Sequence, residues 1–162
     1  MLLADVVAVS DAVSSTSSRS EKIALLAGIL GRLTGEEVPI ALAYLSGRPA
    51  QRRLGAGYAT VFGVEVEAGD IPVLRLVDVE RAFEEMAAAA GPGSKARRES
   101  VLADLLARAT PGEQAFLRGL ILRNLRQGAL EGVMAEAVAE AVGASPQRVR
   151  RAAMLEGDLV AV

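Results

Sequence analysis

Apolar residues fall at helical spacing along most of this chain, and turn residues cut the pattern into short pieces. Leu2, Leu3, Val6, Val7 and Val9 predict a first helix that ends near Ala12 or Val13. The run Ser14 to Ser18 reads as a loop rich in N-cap residues. From Ser20, the stripe Ile23, Leu26, Ala27 and Leu30 predicts a second helix. Thr34-Gly35-Glu36-Glu37 is a turn with capping chemistry, followed by a third helix over Val38 to Leu45. Ser46 to Gly57 is rich in Gly, Pro and Arg and has no stripe, so a loop is expected. After Tyr58 the alternation Val64 to Glu67 is broken by Gly69-Asp70-Ile71-Pro72, and mostly irregular chain is expected. Val77 to Ala90 is a helix carried by Val79, Phe83 and Met86 and stopped by Gly91-Pro92-Gly93. Ser94 opens the next, with Val101, Leu102, Leu105 and Leu106 as its stripe. Thr110-Pro111-Gly112-Glu113 is a capping box with Pro at the first helical position, ahead of Phe116, Leu117, Leu120 and Ile121. Gly128 interrupts, Leu130 to Val142 resumes, Gly143 to Pro146 turns, and Val149 to Leu155 is the last helix. The expected fold class is all-α, a compact multi-helix array spanning residues 1–162 as one domain.

The chemistry open to such a chain is narrow. It contains no Cys, His or Trp. Disulfides, Cys/His zinc sites and histidine-based nucleophilic triads are excluded. No apolar run is long enough to span a bilayer, and the first 20 residues lack a basic segment, so a cytoplasmic protein is expected. The formal net charge of −2 argues against a nucleic-acid partner if it is taken whole.

Its distribution argues the other way. Arg48 to Phe62 holds three Arg and no acid, and bases outnumber acids about two to one from Ser94 to Gly128. Acids collect at Glu65 to Glu85 and Glu131 to Glu140. The basic segments coincide with Gly turns and helix starts, where free N–H groups favour phosphate. The five aromatic residues are scattered in sequence and predict no stacking platform for single strands. Gly55-Ala56-Gly57 hints at a dinucleotide loop but follows no hydrophobic strand and lacks a third Gly. Val138 to Arg151 has fair helix-turn-helix spacing, so a sequence-specific regulator stays open beside a helical protein–protein module.

The chain also repeats itself. Leu25 to Glu37 lies over Val101 to Glu113 at constant offset, with about half the positions identical. Ser18-Arg19 lies over Ser94-Lys95, and Arg53-Leu54-Gly55-Ala56 over Arg126-Gln127-Gly128-Ala129. An internal pseudo-two-fold repeat is expected, and two like surfaces suit the antiparallel strands of a duplex.

An ordered set of motifs then carries a resemblance. These are Gly91-Pro92-Gly93-Ser94-Lys95, Leu105 to Pro111, Leu125-Arg126-Gln127-Gly128-Ala129-Leu130-Glu131-Gly132, Val149 to Ala152 and Gly157-Asp158-Leu159. Together they resemble the N-terminal DNA-binding domain of ATP-dependent DNA ligases of the archaeal and eukaryotic replicative type, in a bacterial version. Ser46-Gly47-Arg48 to Gly57 resembles the same family's first Gly loop. The resemblance implies a non-catalytic domain that grips nicked duplex DNA from the minor-groove side, as a monomer, in replication, repair or recombination. By position it places Arg126 and Gly128 at phosphates with Asn124 beside them, Ser94, Lys95 and Arg98 as a second set, and Arg48, Gly55 and Gly57 as the repeat-related set. It also implies adenylation and OB domains C-terminal to this one as partners, with ATP and Mg as their cofactors and none here. The ligase nucleophile is the Lys of Lys-x-Asp-Gly, whereas Lys22 precedes Ile-Ala-Leu and Lys95 precedes Ala-Arg-Arg. The chain is therefore expected to be an excised domain, inactive alone.

Overall fold

The structure is a computed structural model that describes residues 1–51, 53–125 and 131–156. Nine helices are found among the described residues: α1 (Leu3–Ser15), α2 (Arg19–Leu30), α3 (Glu37–Leu45), α4 (Tyr58–Gly63), α5 (Leu76–Ala88), α6 (Ser94–Ala107), α7 (Pro111–Ile121), α8 (Glu131–Ala141) and α9 (Pro146–Glu156). The only extended pairing among them is an isolated antiparallel bridge between Leu2 and Arg75, and the fold is all-α as expected. No helix of the described residues is long and apolar enough to cross a membrane.

The chain divides into two compact units, each built from separated segments. One comprises Met1–Ala4 and Gly47–Leu125, the other Asp5–Ser46 and Arg126–Val162. In the first, α5 packs on α6. The stripe residues Leu76, Val79, Phe83 and Met86 of α5 and Leu102 and Leu106 of α6 are fully buried. Each such side chain contributes about 1.5–3 kcal/mol of apolar burial. The segment between α4 and α5 is irregular, as its Gly and Pro content predicts, and is fixed by hydrogen bonds from elsewhere in this unit. Gly69 N donates to Ala109 O at 2.8 Å, and Gln114 Nε2 donates to Leu106 O at 2.9 Å and Val66 O at 3.5 Å.

In the second unit α2 packs on α8, and α8 on α9. Arg19 and Arg150 converge on Glu136, with N to Oε1 distances of 3.0 and 3.4 Å. The hydrogen bond from Arg19 and the two guanidinium charges hold the Glu136 carboxyl below the usual glutamate range, although burial opposes them. The α8–α9 turn is a Schellman motif: Ala144 N donates to Ala139 O at 2.8 Å, Gly143 N to Glu140 O at 3.3 Å, and Gly143 has φ +65°.

The two repeated segments take the same local form, one in each unit. Thr34 N and Oγ1 donate to Glu37 Oε2 at 3.1 and 2.9 Å. Thr110 N and Oγ1 donate to Glu113 Oε2 at 2.8 and 2.9 Å. Both Glu residues are buried. The likeness stops at the preceding helix starts. Ser18 caps α2 by accepting from Glu21 N, whereas Ser94 is already helical and the cap position of α6 is Gly93, at φ +82°.

The structure departs from the sequence expectation at α4, which forms where the sequence predicts irregular chain. The helix has six residues and no side-chain N-cap. Its carbonyl end is satisfied by Arg118 of α7, whose Nη1 donates to Val61 O and whose Nη2 donates to Val64 O at 2.9 Å. That stabilisation comes from more than 50 residues away and leaves no local signal.

Thr110→Ala removes a capping box at a part-buried helix start and is expected to cost about 1 kcal/mol in urea unfolding. Glu136 has a depressed folded pKa, so its contribution is present above the ordinary glutamate pKa and is lost as pH falls through the lower folded value. Glu136→Gln should therefore flatten the acid side of the stability profile measured by thermal melts at a series of pH values.

Candidate nucleic-acid interface

Two of the three sequence-predicted sets of site residues come together in the first unit, with Asn124 from the third close beside them. The loop after α3 carries Arg48, exposed, and leads to Gly55 at φ +67° and Gly57 at the cap of α4. Arg98 reaches this loop from α6. A Cβ on Gly55 would lie 2.6 Å from Arg98 Cζ, so the guanidinium rests directly on the glycine. The same side chain donates from Nε to Met86 O at 3.1 Å, from Nη2 to Ala89 O, and from Nη1 to Ser94 Oγ at 3.4 Å. It thus satisfies carbonyls at the end of α5 that have no helical partner. Ser94 is partly buried beneath it, while Lys95 is 80% exposed and forms an i,i+4 pair with Glu99 at 3.7 Å.

The end of α7 closes on the same loop. Arg123 has φ +55°, the one non-glycine in the left-handed region among the described residues. Its turn is a second Schellman motif, with Asn124 N donating to Gly119 O at 3.0 Å and Arg123 N to Leu120 O at 3.1 Å. Arg123 Nη2 donates to Gln51 O at 3.2 Å, and Leu125 O lies 3.5 Å from where a Cβ of Gly47 would be. Asn124 is exposed beside this turn. Arg126 and Gly128 lie outside the described residues.

Between loop and turn is an open cleft of about 270 Å³, lined among others by Arg53, Leu54, Gly55, Gly57, Ile121 and Arg123. No Asp or Glu among the described residues lines it. Arg48 and Arg53 are exposed and make no ion pair among the described residues. A Cβ on Gly57 would meet nothing within 4 Å, so its backbone is open to approach. A cleft lined, among the described residues, by two arginines, exposed glycine backbone and no acid is suited to a phosphate. Arg53 enters the sequence reading as the repeat counterpart of Arg126 and in a basic Gly turn, whereas Arg123 is not singled out. Nothing local marks Arg123.

The α8–turn–α9 pair is also present, with Arg148 and Arg151 exposed at the start of α9 and Arg150 engaged by Glu136. One outcome tests the Gly55 contact. Gly55→Ala should cost more than the roughly 1–2 kcal/mol of left-handed strain, because its Cβ displaces Arg98. In an Arg98→Ala background the added cost should fall to the strain alone, a non-additivity read by denaturant unfolding of the four-member cycle.

The family described as DNA ligase N terminus matches residues 65–139. A protein named probable DNA ligase from Mycolicibacterium gilvum is 50% identical over 162 residues, covering 100% of this chain and 32% of its own length. Those of Kineococcus radiotolerans and Streptomyces griseus are each 47% identical, over 99% and 98% of this chain and 32% and 31% of their own lengths. The chain thus spans about a third of the length of the curated relatives it matches. With a family match inside the helical array and such relatives along its whole length, the chain is similar to the DNA ligase N terminus.

Proposed function

We propose that residues 1–162 act as a non-catalytic DNA-binding domain, holding nicked duplex DNA for an ATP-dependent ligase in replication, repair or recombination. The observation that carries this reading is the whole-chain similarity to DNA ligases three times as long. The cleft supports it: Arg53, Arg123 and the open Gly57 backbone suit one phosphate, and Arg48, Lys95 and Asn124 extend the polar surface around it. Arg126 and Gly128 complete the proposed set from sequence position. Arg98 acts chiefly by seating the Gly55 loop, with N–H groups left over for the backbone of DNA. In this reading each of the two repeated capped segments faces the duplex backbone.

The chemistry of sealing falls to adenylation and OB domains C-terminal to this one, where ATP and Mg belong. Neither Lys22 nor Lys95 sits in a Lys-x-Asp-Gly motif, so no step through the nucleotide is derived on this chain. The domain works as a cytoplasmic monomer tethered to its catalytic partners. Contacts of this type are to phosphate and carry no sequence preference.

The test is an anisotropy titration of a labelled nicked duplex over a salt series. Affinity should fall linearly with salt on logarithmic axes. Lys95→Ala with Arg126→Ala should weaken binding and reduce the slope by about 0.9 for each phosphate that is no longer neutralised. Unchanged binding in that double variant would remove both residues from the site. A strong preference for one duplex sequence would instead favour a regulator using α9.

A further inference from the structure

Three of the five aromatic side chains, Tyr44, Phe83 and Phe116, are buried. The other two, Tyr58 and Phe62, are 69% and 45% exposed and stand one helical turn apart on α4. Their ring centroids are 4.4 Å apart with planes inclined at 38°. The platform not expected from the sequence is thus a two-ring pair. Single exposed hydrophobic residues are ordinary, but a mated aromatic pair on a fixed support is not.

The support is fixed by Arg118. Its guanidinium ties down Val61 O and Val64 O and lies 5.7 Å from the Phe62 ring centre, within cation–π range. The end of α4 and the Phe62 ring are therefore held in place before any partner arrives. The Tyr58 hydroxyl makes no hydrogen bond among the described residues.

Position selects the partner. Gly57, which lines the cationic cleft, is the cap residue of α4, and Tyr58 is the next residue. The cationic cleft and the ring pair are thus joined through adjacent residues, Gly57 in the first and Tyr58 in the second. The edge of a duplex minor groove has the matching order: anionic phosphates beside the C–H faces of deoxyribose. A protein partner that wanted the rings alone would not need the arginines beside them.

We propose that Tyr58 and Phe62 form an apolar rest for the deoxyribose edge of the strand whose phosphate occupies the Arg53–Arg123 cleft. The proposal rests on the DNA-binding reading above. The division of labour is that the arginines supply the salt-dependent part of the affinity and the rings a salt-independent part.

The test is the same nicked-duplex titration with the 162-residue chain, comparing wild type, Tyr58→Ala, and Tyr58→Ala with Phe62→Ala. Removing both rings should lower affinity about tenfold at every salt concentration and leave the logarithmic slope unchanged, as expected when apolar surface alone is removed. Tyr58→Ala alone, at a largely exposed position, keeps the fold and should show a smaller loss of the same kind. Equal affinity in wild type and both variants overturns the proposal while leaving DNA binding intact. A wild type that binds no duplex at low salt overturns the parent reading as well. A fluorescent variant gives a second readout, because the chain has no Trp. In Tyr58→Trp the indole emission should change on saturation with duplex. An unchanged spectrum with DNA bound places the DNA elsewhere.

Discussion

One guanidinium sets the geometry around the cleft. Arg98 bonds the carbonyls that terminate α5, lies against Gly55, and reaches Ser94 at the start of its own helix. Remove it and three neighbouring features lose their common anchor: the C-terminus of α5, the first turn of α6 and the loop that lines the cleft. A side chain at Gly55 would displace the guanidinium from the space it fills and would take on left-handed strain. The loop's shape and the helix-end capping are thus one interaction seen from two sides.

The arginines of this unit divide between such ties and open surface. Arg118 does for α4 what Arg98 does for α5, bonding carbonyls a helix end would otherwise leave unpaired. In the other unit Arg19 and Arg150 share Glu136. Arg48 and Arg53 have no such engagement among the described residues and face solvent. A formal net charge of −2 averages over these roles and predicts little about local binding. What matters for an anion is which cations stay exposed, and that is decided by packing.

The helices α5, α6 and α7 are legible in the sequence because their apolar stripes and stop signals are local, and the Thr110–Glu113 box reads directly from residues three apart. The all-α class follows from the same periodicity. Helix α4 is not legible, because Tyr58 to Gly63 is too short to show a stripe and is held by Arg118 from α7. Ser94 opens α6 as the sequence predicts, with Gly93 in the left-handed region at the cap position. Of the site, the individual segments are legible as basic, glycine-containing loops. Their convergence is not, because Arg98 meeting Gly55 and Arg123 meeting Gln51 are tertiary contacts.

Arg123 shows why the cleft is more than a by-product of folding. A Schellman turn puts its C′ residue in the left-handed region, where glycine is the unstrained choice and another residue costs about 1–2 kcal/mol. Here that residue is arginine, at φ +55°. The strain is offset in part by the hydrogen bond from Nη2 to Gln51 O, which fastens the turn to the loop on the other side of the cleft. The same turn leaves Asn124 exposed. A glycine at this point would relax the backbone, but it would remove both the loop tie and one of the two cations that line the cleft. Strain of this kind persists where surrounding structure over-determines it, and here it yields a cationic wall that is also a structural clamp.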